Sequence, residues 1–270
     1  MKKKLRFLFI GDVVGEPGKA LFAKWVPRLK EKFNIDAVIV NGENSAKNGR
    51  GLMPHDFEFF KESGASVVTT GNHIWAHKKI VQYIQENETL LRPANYPSGA
   101  PGKGYVVFDI EGIPVAVINV AGRVFMKENL DCPFRAVESL LTYLKGKAKI
   151  IFVDFHAEAT SEKKVLGFYF DGKLSGVVGT HTHVQTADER ILPNGTGFIS
   201  DLGFIGATNS ALGVNKSIVT EHFITQMPNA FKVETTGPFS INGAWMEIDI
   251  ETGKALHIER VSIIDDEFTV

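Results

Sequence analysis

The first third of the chain alternates short apolar runs with segments of helical spacing. "LRFLFIGD" (5–12) is a dense aromatic and aliphatic run closed by Gly-Asp, the length of a buried strand. "GKALFAKWVPRLKEKF" (18–33) places Leu21, Trp25 and Leu29 on one helical stripe, with Pro27 predicting a kink or a restart. "IDAVIVNGEN" (35–44) reads as a second buried strand. "PHDFEFFKESG" (54–64) has proline at its start and glycine at its end, the punctuation of a helix. "ASVVTTGNH" (65–73) is a third strand. Such alternation predicts a parallel α/β core.

The pattern then changes. "GYVVFDIEGIPVAVINV" (104–120) predicts two strands joined at Glu111-Gly112. A helix is expected over 133–145, and "KIIFVDFH" (149–156) and "LSGVVGTH" (174–181) are again buried strands. "GAWMEIDIETGKALHIERVSII" (243–264) alternates around Gly253 and predicts an antiparallel pair. No internal repeat, low-complexity tract or linker interrupts the chain. Residues 1–270 are therefore expected to form a single domain, with two sheets packed face to face and helices outside. Loop 205–216, rich in Gly, Asn and Ala, is expected to be mobile.

Five of these apolar runs end in groups able to bind metal. The first ends at Asp12, the second at Glu43 and Asn44, the third at Asn72 and His73, and the later two at His156 and at His181 with His183. In open α/β sheets, ligands gather outside the carboxyl ends of the strands. Nitrogen and oxygen donors without thiolate suit Mn²⁺, Fe or Zn²⁺ better than an iron–sulfur or structural zinc site. Two adjacent dications need a carboxylate between them, and Glu43 is the natural candidate.

The remaining histidines are read differently. His77 stands four residues after His73, a spacing of paired zinc ligands on a helix, but no glutamate follows His73 and the metalloprotease reading fails. His77 is expected behind the site or on a helix surface. His55, His222 and His257 are read as hydrogen-bonded or surface residues.

Composition narrows the setting. A formal net charge of −1 gives no electrostatic footprint for duplex nucleic acid, although a local site could hold a small nucleotide. The single cysteine, Cys132, excludes an intrachain disulfide, suits a reducing compartment and is read as an inert thiol. The opening apolar run breaks at Gly11-Asp12, too early for a signal core. No apolar stretch approaches the ~20 residues of a membrane span. A cytoplasmic location is expected, with no membrane partner.

Taken together, "GD" (11–12), "NGEN" (41–44), "GNH" (71–73), His156 and "GTHTH" (179–183) resemble the calcineurin-like metallophosphoesterases. More closely, "GDVVG", "NGENSAKNGRG", "TGNHIW", "VDFHAEATSEK" and "GTHTHVQTAD" resemble the YmdB-like subfamily, in order from about residue 5 to 215. Two departures from the general superfamily pattern stand out. Val14 replaces the histidine of D-x-H, and Glu43 replaces the bridging aspartate of GD. The subfamily shows both changes.

The resemblance implies a four-layer α/β/β/α sandwich of two mixed sheets flanked by helices. It implies two metal ions, one held by Asp12, Glu43, Asn44 and His183, the other by Glu43, Asn72, His156 and His181. Asn44 would fill the coordination lost at Val14, and its hard carboxamide oxygen favours Fe or Mn, with Zn or Mg as alternatives. His73 would stand beside the metals as proton donor. The implied activity is phosphodiester hydrolysis, with 2′,3′-cyclic nucleotides as leading substrates. A hydroxide shared by the metals would attack phosphorus while His73 protonates the departing alkoxide. A homo-oligomer is also implied.

Two other readings stay open: a regulatory metal-binding partner in RNA metabolism with little turnover, and a phosphomonoesterase. The sequence displays no evident base-reading pocket. Phe125, Phe204 and Tyr169 are candidates to stack on a base and Arg123 to touch phosphate, each weighed against a core or surface role. Glu158, Ser161 and Lys164 receive no assignment.

Overall fold

In the computed structural model, which describes residues 2–269, the leading apolar run becomes β1 (Lys4–Ile10). It is followed by β2 (Asp12–Val13), α1 (Gly15–Phe33), β3 (Ala37–Asn41), α2 (Pro54–Glu62) and β4 (Val67–Thr69). The middle of the chain supplies α3 (Lys79–Glu86), β5 (Tyr105–Ile110), β6 (Ile113–Ala121), α4 (Pro133–Leu144), β7 (Ile150–His156), α5 (Thr160–Tyr169) and β8 (Gly176–Thr180). The last third adds β9 (Arg190–Ile191), β10 (Gly197–Ile199), β11 (Phe204–Ala207), α6 (Lys216–Thr225), β12 (Phe239–Asp249) and β13 (Ala255–Asp265).

Two mixed sheets result. One runs β2-β11-β12-β1-β3-β4, with β13 paired to β12, and the other runs β5-β6-β7-β8-β10-β9. Within the first, β1, β3 and β4 are parallel; within the second, β6, β7 and β8 are. The expected hairpins at Glu111-Gly112 and at Gly253 are both present as antiparallel pairs.

Period-2 alternation sorts each central strand between two cores. Leu5, Phe7 and Phe9 of β1 point into the layer between the sheets, beside Phe152, Ile199 and Met246. The Phe7 and Phe152 rings lie 4.6 Å apart there, and Phe9 and Phe152 4.9 Å. Leu8 and Ile10 face the other way, onto Leu21, Phe22, Val26 and Leu29 of α1 and Phe57 and Phe60 of α2. On the far side, Ile151, Val153 and Phe155 of β7 pack with Val137 and Leu144 of α4 and Leu166 of α5. The layers are helix, sheet, sheet and helix, as expected. Each fully buried Phe or Leu contributes roughly 1.5–3 kcal/mol through burial.

Several local expectations are corrected. The first helix begins at Gly15 and runs unbroken through Pro27. Pro27 is exposed, so the carbonyl that loses its partner faces water. Residues 205–207 of the expected mobile loop instead belong to strand β11, paired with β2 and β12. Helices α3, α5 and α6 were not expected; they have only eight to ten residues each, and α6 buries none. Among the described residues, no helix is long and apolar enough to cross a membrane.

Candidate metal centre

The parallel strands of both sheets end at one edge of the sandwich, and their last residues meet there. Asp12, Glu43, Asn44, Asn72, His73, His156, His181 and His183 form one connected cluster. Glu43 Oε1 lies 3.2 Å from His156 Nε2, which is 3.0 Å from both Asn72 Oδ1 and His181 Nδ1. Glu43, His156 and His181 each offer one ligand atom, all within 4.8 Å of one another. On the other flank, His183 Nε2 lies 3.0 Å from Asn44 Nδ2 and 3.9 Å from Asp12 Oδ1. Asp12, Glu43, Asn44 and His156 are buried.

Hydrogen bonds away from the cluster fix which ring nitrogen each histidine turns inward. Thr180 Oγ1 gives its only proton to Asp154 Oδ1 at 2.8 Å, so it accepts from His156 Nδ1–H at 3.0 Å. His183 Nδ1–H donates to the Leu212 carbonyl at 3.0 Å. His181 Nε2 lies 3.2 Å from Glu158 Oε2, so its Nδ1 is the ring nitrogen left to face the cluster. The ring nitrogens turned inward are therefore His156 Nε2, His183 Nε2 and His181 Nδ1. Such outer partners raise ligand basicity and hold ring orientation.

The electrostatics agree. Burial pushes the Asp12 carboxyl up to about 6, against the pull of His183 and His156. Its Oδ1 is buried and has no hydrogen-bond partner among the described residues, while Oδ2 accepts from the His181 N–H at 3.1 Å. Burial alone would raise Glu43, but His156 and His73 hold it well below the usual carboxylate range. Burial would likewise lower His156, yet Glu43, Asp12 and Asp154 push it up to about 9. His181 is lowered to about 3, by burial first and then by His156. A field that holds a proton on His156 so firmly would also hold a cation. An orphaned carboxylate oxygen and convergent lone pairs of Asp, Glu, Asn and His fit first-row metal ions.

Backbone strain accompanies the cluster. His181 has φ +103° and His183 φ +62°, values that non-glycine residues rarely adopt and that surrounding structure must enforce. Asp201 does so here. Its Oδ2 accepts from the intervening Thr182 N–H at 3.1 Å and hydroxyl at 2.7 Å. Gly71 has no room for a Cβ, which would strike the His156 ring and the Glu43 carboxylate.

The other sequence candidates disperse. His73 Nδ1–H donates to Asn44 Oδ1 at 2.8 Å and its backbone N–H to Glu43 Oε2 at 3.2 Å, so it borders the cluster. As it stands, Asn44 turns its nitrogen, not its oxygen, toward His183. Phe204 is buried and stacks on the His183 ring at 5.5 Å; it walls the site. The Tyr169 hydroxyl donates to Glu138 of α4 at 2.6 Å. His77 Nε2 donates to the Arg50 carbonyl, and His222 Nδ1 to that of Met227. His55 and His257 lie beside Asp56 and Glu259, with side chains 71% and 46% exposed. Sequence reasoning missed Asp154, Thr180, Asp201 and the role of Glu158. A charged residue at position 154 inside an otherwise apolar strand was the one signal available.

A family model described as YmdB-like protein matches residues 8–261. A 2′,3′-cyclic-nucleotide 2′-phosphodiesterase of Bacillus subtilis (strain 168) is 46% identical over 97% of this chain and 98% of that one. A hypothetical protein from Thermus thermophilus, known from its crystal structure, superposes with a TM-score of 0.88 at 38% identity, covering 97% of this chain and 100% of the other. A novel phosphatase from Mycoplasma pneumoniae superposes with a TM-score of 0.92 at 34% identity, over 99% and 96% respectively.

Proposed function

We propose, because this chain belongs to the YmdB-like family, that it is a metal-dependent phosphodiesterase opening the 2′ ester of 2′,3′-cyclic nucleotides. The observation that carries this reading is the convergence of the Glu43, His156 and His181 ligand atoms from both sheets within 4.8 Å of one another, with Asp12, Asn44, Asn72, His73 and His183 hydrogen-bonded around them. Asp12, Glu43, Asn44 and His183 would hold one ion, and Glu43, Asn72, His156 and His181 a second, with Fe or Mn preferred. Bound ions supply activation of water and neutralisation of phosphoryl charge.

The chain's own residues handle orientation and the proton. Hydrolysis joins a water oxygen to phosphorus and breaks the phosphorus–O2′ bond; water's proton leaves to solvent and the ribose 2′-oxygen takes one from the protein. His73 is that donor. Turning the Asn44 carboxamide end for end exchanges its two atoms between the same neighbours. Asn44 Oδ1 then faces Glu43 and His183, and Nδ2–H donates to His73 Nδ1. That orientation would place the His73 proton on Nε2, the nitrogen left free to donate. The product is a nucleoside 3′-phosphate.

The protein acts as one domain, since β1 and β7 share the inter-sheet core, and in the cytoplasm, which its lone cysteine suits. Phe223 and Ile224, exposed on a helix that buries nothing, support a homo-oligomer.

The test is release of adenosine 3′-phosphate from 2′,3′-cyclic AMP by protein supplied with Mn²⁺. Glu43→Gln abolishes it, and His73→Ala lowers kcat about 10²–10⁴-fold with the fold intact. Full activity in His73→Ala would remove the proton donor. Preference for p-nitrophenyl phosphate over its bis ester would overturn the diesterase assignment.

A further inference from the structure

Beside the metal centre lies a cleft of about 710 Å³ whose lining includes Asn95, Tyr96, Arg123, Asp131 and Arg135. Its position follows from the sheet. Ala121, the last residue of β6, faces His156 of β7 in register, and the Gly122 N–H donates to the His156 carbonyl at 2.9 Å. Arg123 is the next residue. Tyr96, which also lines the cleft, packs edge-on against Trp75, two residues beyond His73, at 5.9 Å. The cleft thus adjoins strand ends that supply His156 and His73.

The loop carrying Arg123 is anchored at both ends and free at its crown. Glu162 accepts from the backbone N–H groups of Arg123 and Val124 at 3.1–3.3 Å. Buried Asn95 accepts from the Ala121 N–H at 2.9 Å and donates to the carbonyls of Ala121 and Asp131 at 2.8 and 2.9 Å. Between these anchors Phe125 is 85% exposed, with φ +62°. A large apolar ring held out on a tied loop is the form of a stacking platform. Phe125 is therefore not a core residue.

Neither the Arg123 nor the Arg135 guanidinium has a hydrogen-bond or ion-pair partner among the described residues. Two free guanidinium forks match phosphate geometry. A mononucleoside 2′,3′-cyclic phosphate has one anionic group, and the metal centre takes it. The cleft asks for a second. We propose that it is a subsite for the 5′-phosphoryl group of the terminal nucleotide, with Phe125 stacking on a base. The preferred substrates are then RNA fragments ending in a 2′,3′-cyclic phosphate, rather than free cyclic mononucleosides. This rests on the phosphodiesterase reading above.

The test compares kcat/KM for 2′,3′-cyclic AMP with that for a short oligoribonucleotide ending in the same cyclic phosphate. The wild type favours the oligonucleotide by about tenfold to a hundredfold. In the Arg123→Ala/Arg135→Ala variant, with unchanged melting temperature, that ratio falls toward one. Equal values in the wild type, or a ratio that survives the double substitution, would overturn the proposal. A wild type that cleaves neither substrate defeats the phosphodiesterase reading instead. Calorimetric binding then still decides the subsite. Adenosine 3′,5′-bisphosphate binds the wild type at least about tenfold more tightly than adenosine 3′-phosphate, and the double variant equally. Equal wild-type affinities would refute the subsite.

Discussion

Lys163 Nζ donates to Asp201 Oδ2 at 2.6 Å, and both side chains are only 2% exposed. The same carboxylate oxygen grips Thr182 between His181 and His183. A buried ion pair thus stands directly behind the strained turn that presents two of the proposed ligands. Lys163→Met leaves Asp201 buried and uncompensated. A stability loss of about 3–5 kcal/mol in chemical denaturation, together with reduced metal content, is expected. Unchanged stability would show that the pair does not brace the turn.

Thr180 links His156 to Asp154. Thr180→Val removes the acceptor for His156 Nδ1–H and one of the donors to Asp154. Metal affinity is expected to fall about 10–100-fold while the fold persists. Competition with a fluorescent chelator measures it, and wild-type affinity would show that the His156 tautomer is set elsewhere.

Gly71→Ala drives a methyl group into His156 and Glu43. Displacing reacting groups by even 1 Å costs on the order of 10²-fold in rate. A loss of at least that size in kcat, with low metal occupancy by elemental analysis, is the expected result. Normal turnover in this variant would mean that the strand end tolerates more movement than its packing indicates.

His156 makes stability depend on pH. Its pKa rises from 6.5 to about 9 in the folded chain: burial opposes the shift, but the charges of Glu43, Asp12 and Asp154 outweigh it. A raised folded pKa gives stability that is fully present below 6.5 and lost as pH climbs through about 9. Chelator-treated protein should therefore melt at progressively lower temperature across that interval. Added Mn²⁺ should flatten the trend, because ligation displaces the same proton. Parallel curves with and without Mn²⁺ would refute this origin.

The central strands and the cluster were legible because each apolar run ends abruptly in a donor residue, and strand ends must leave the core. The supporting residues were not. Asn41 and Asp154 are 113 positions apart and meet only because the two sheets face each other. Nothing local in either segment specifies that encounter. Helix α6 escaped notice for a related reason: it buries no side chain, so no apolar stripe marks it. Pro27 misled because its effect depends on which side of α1 it occupies, and helical spacing alone did not reveal that its side is the wet one.

Asp12, Glu43 and Asn72 come from one sheet and His156, His181 and His183 from the other. Sliding one sheet past its partner by a single residue, about 3.3 Å, would carry His156 out of reach of Glu43 and Asn72. The cluster is thus a vernier on the docking of the two halves. A folding chain with both sheets built but misaligned would have every donor and no site, so metal uptake should be among the last events to report a finished molecule.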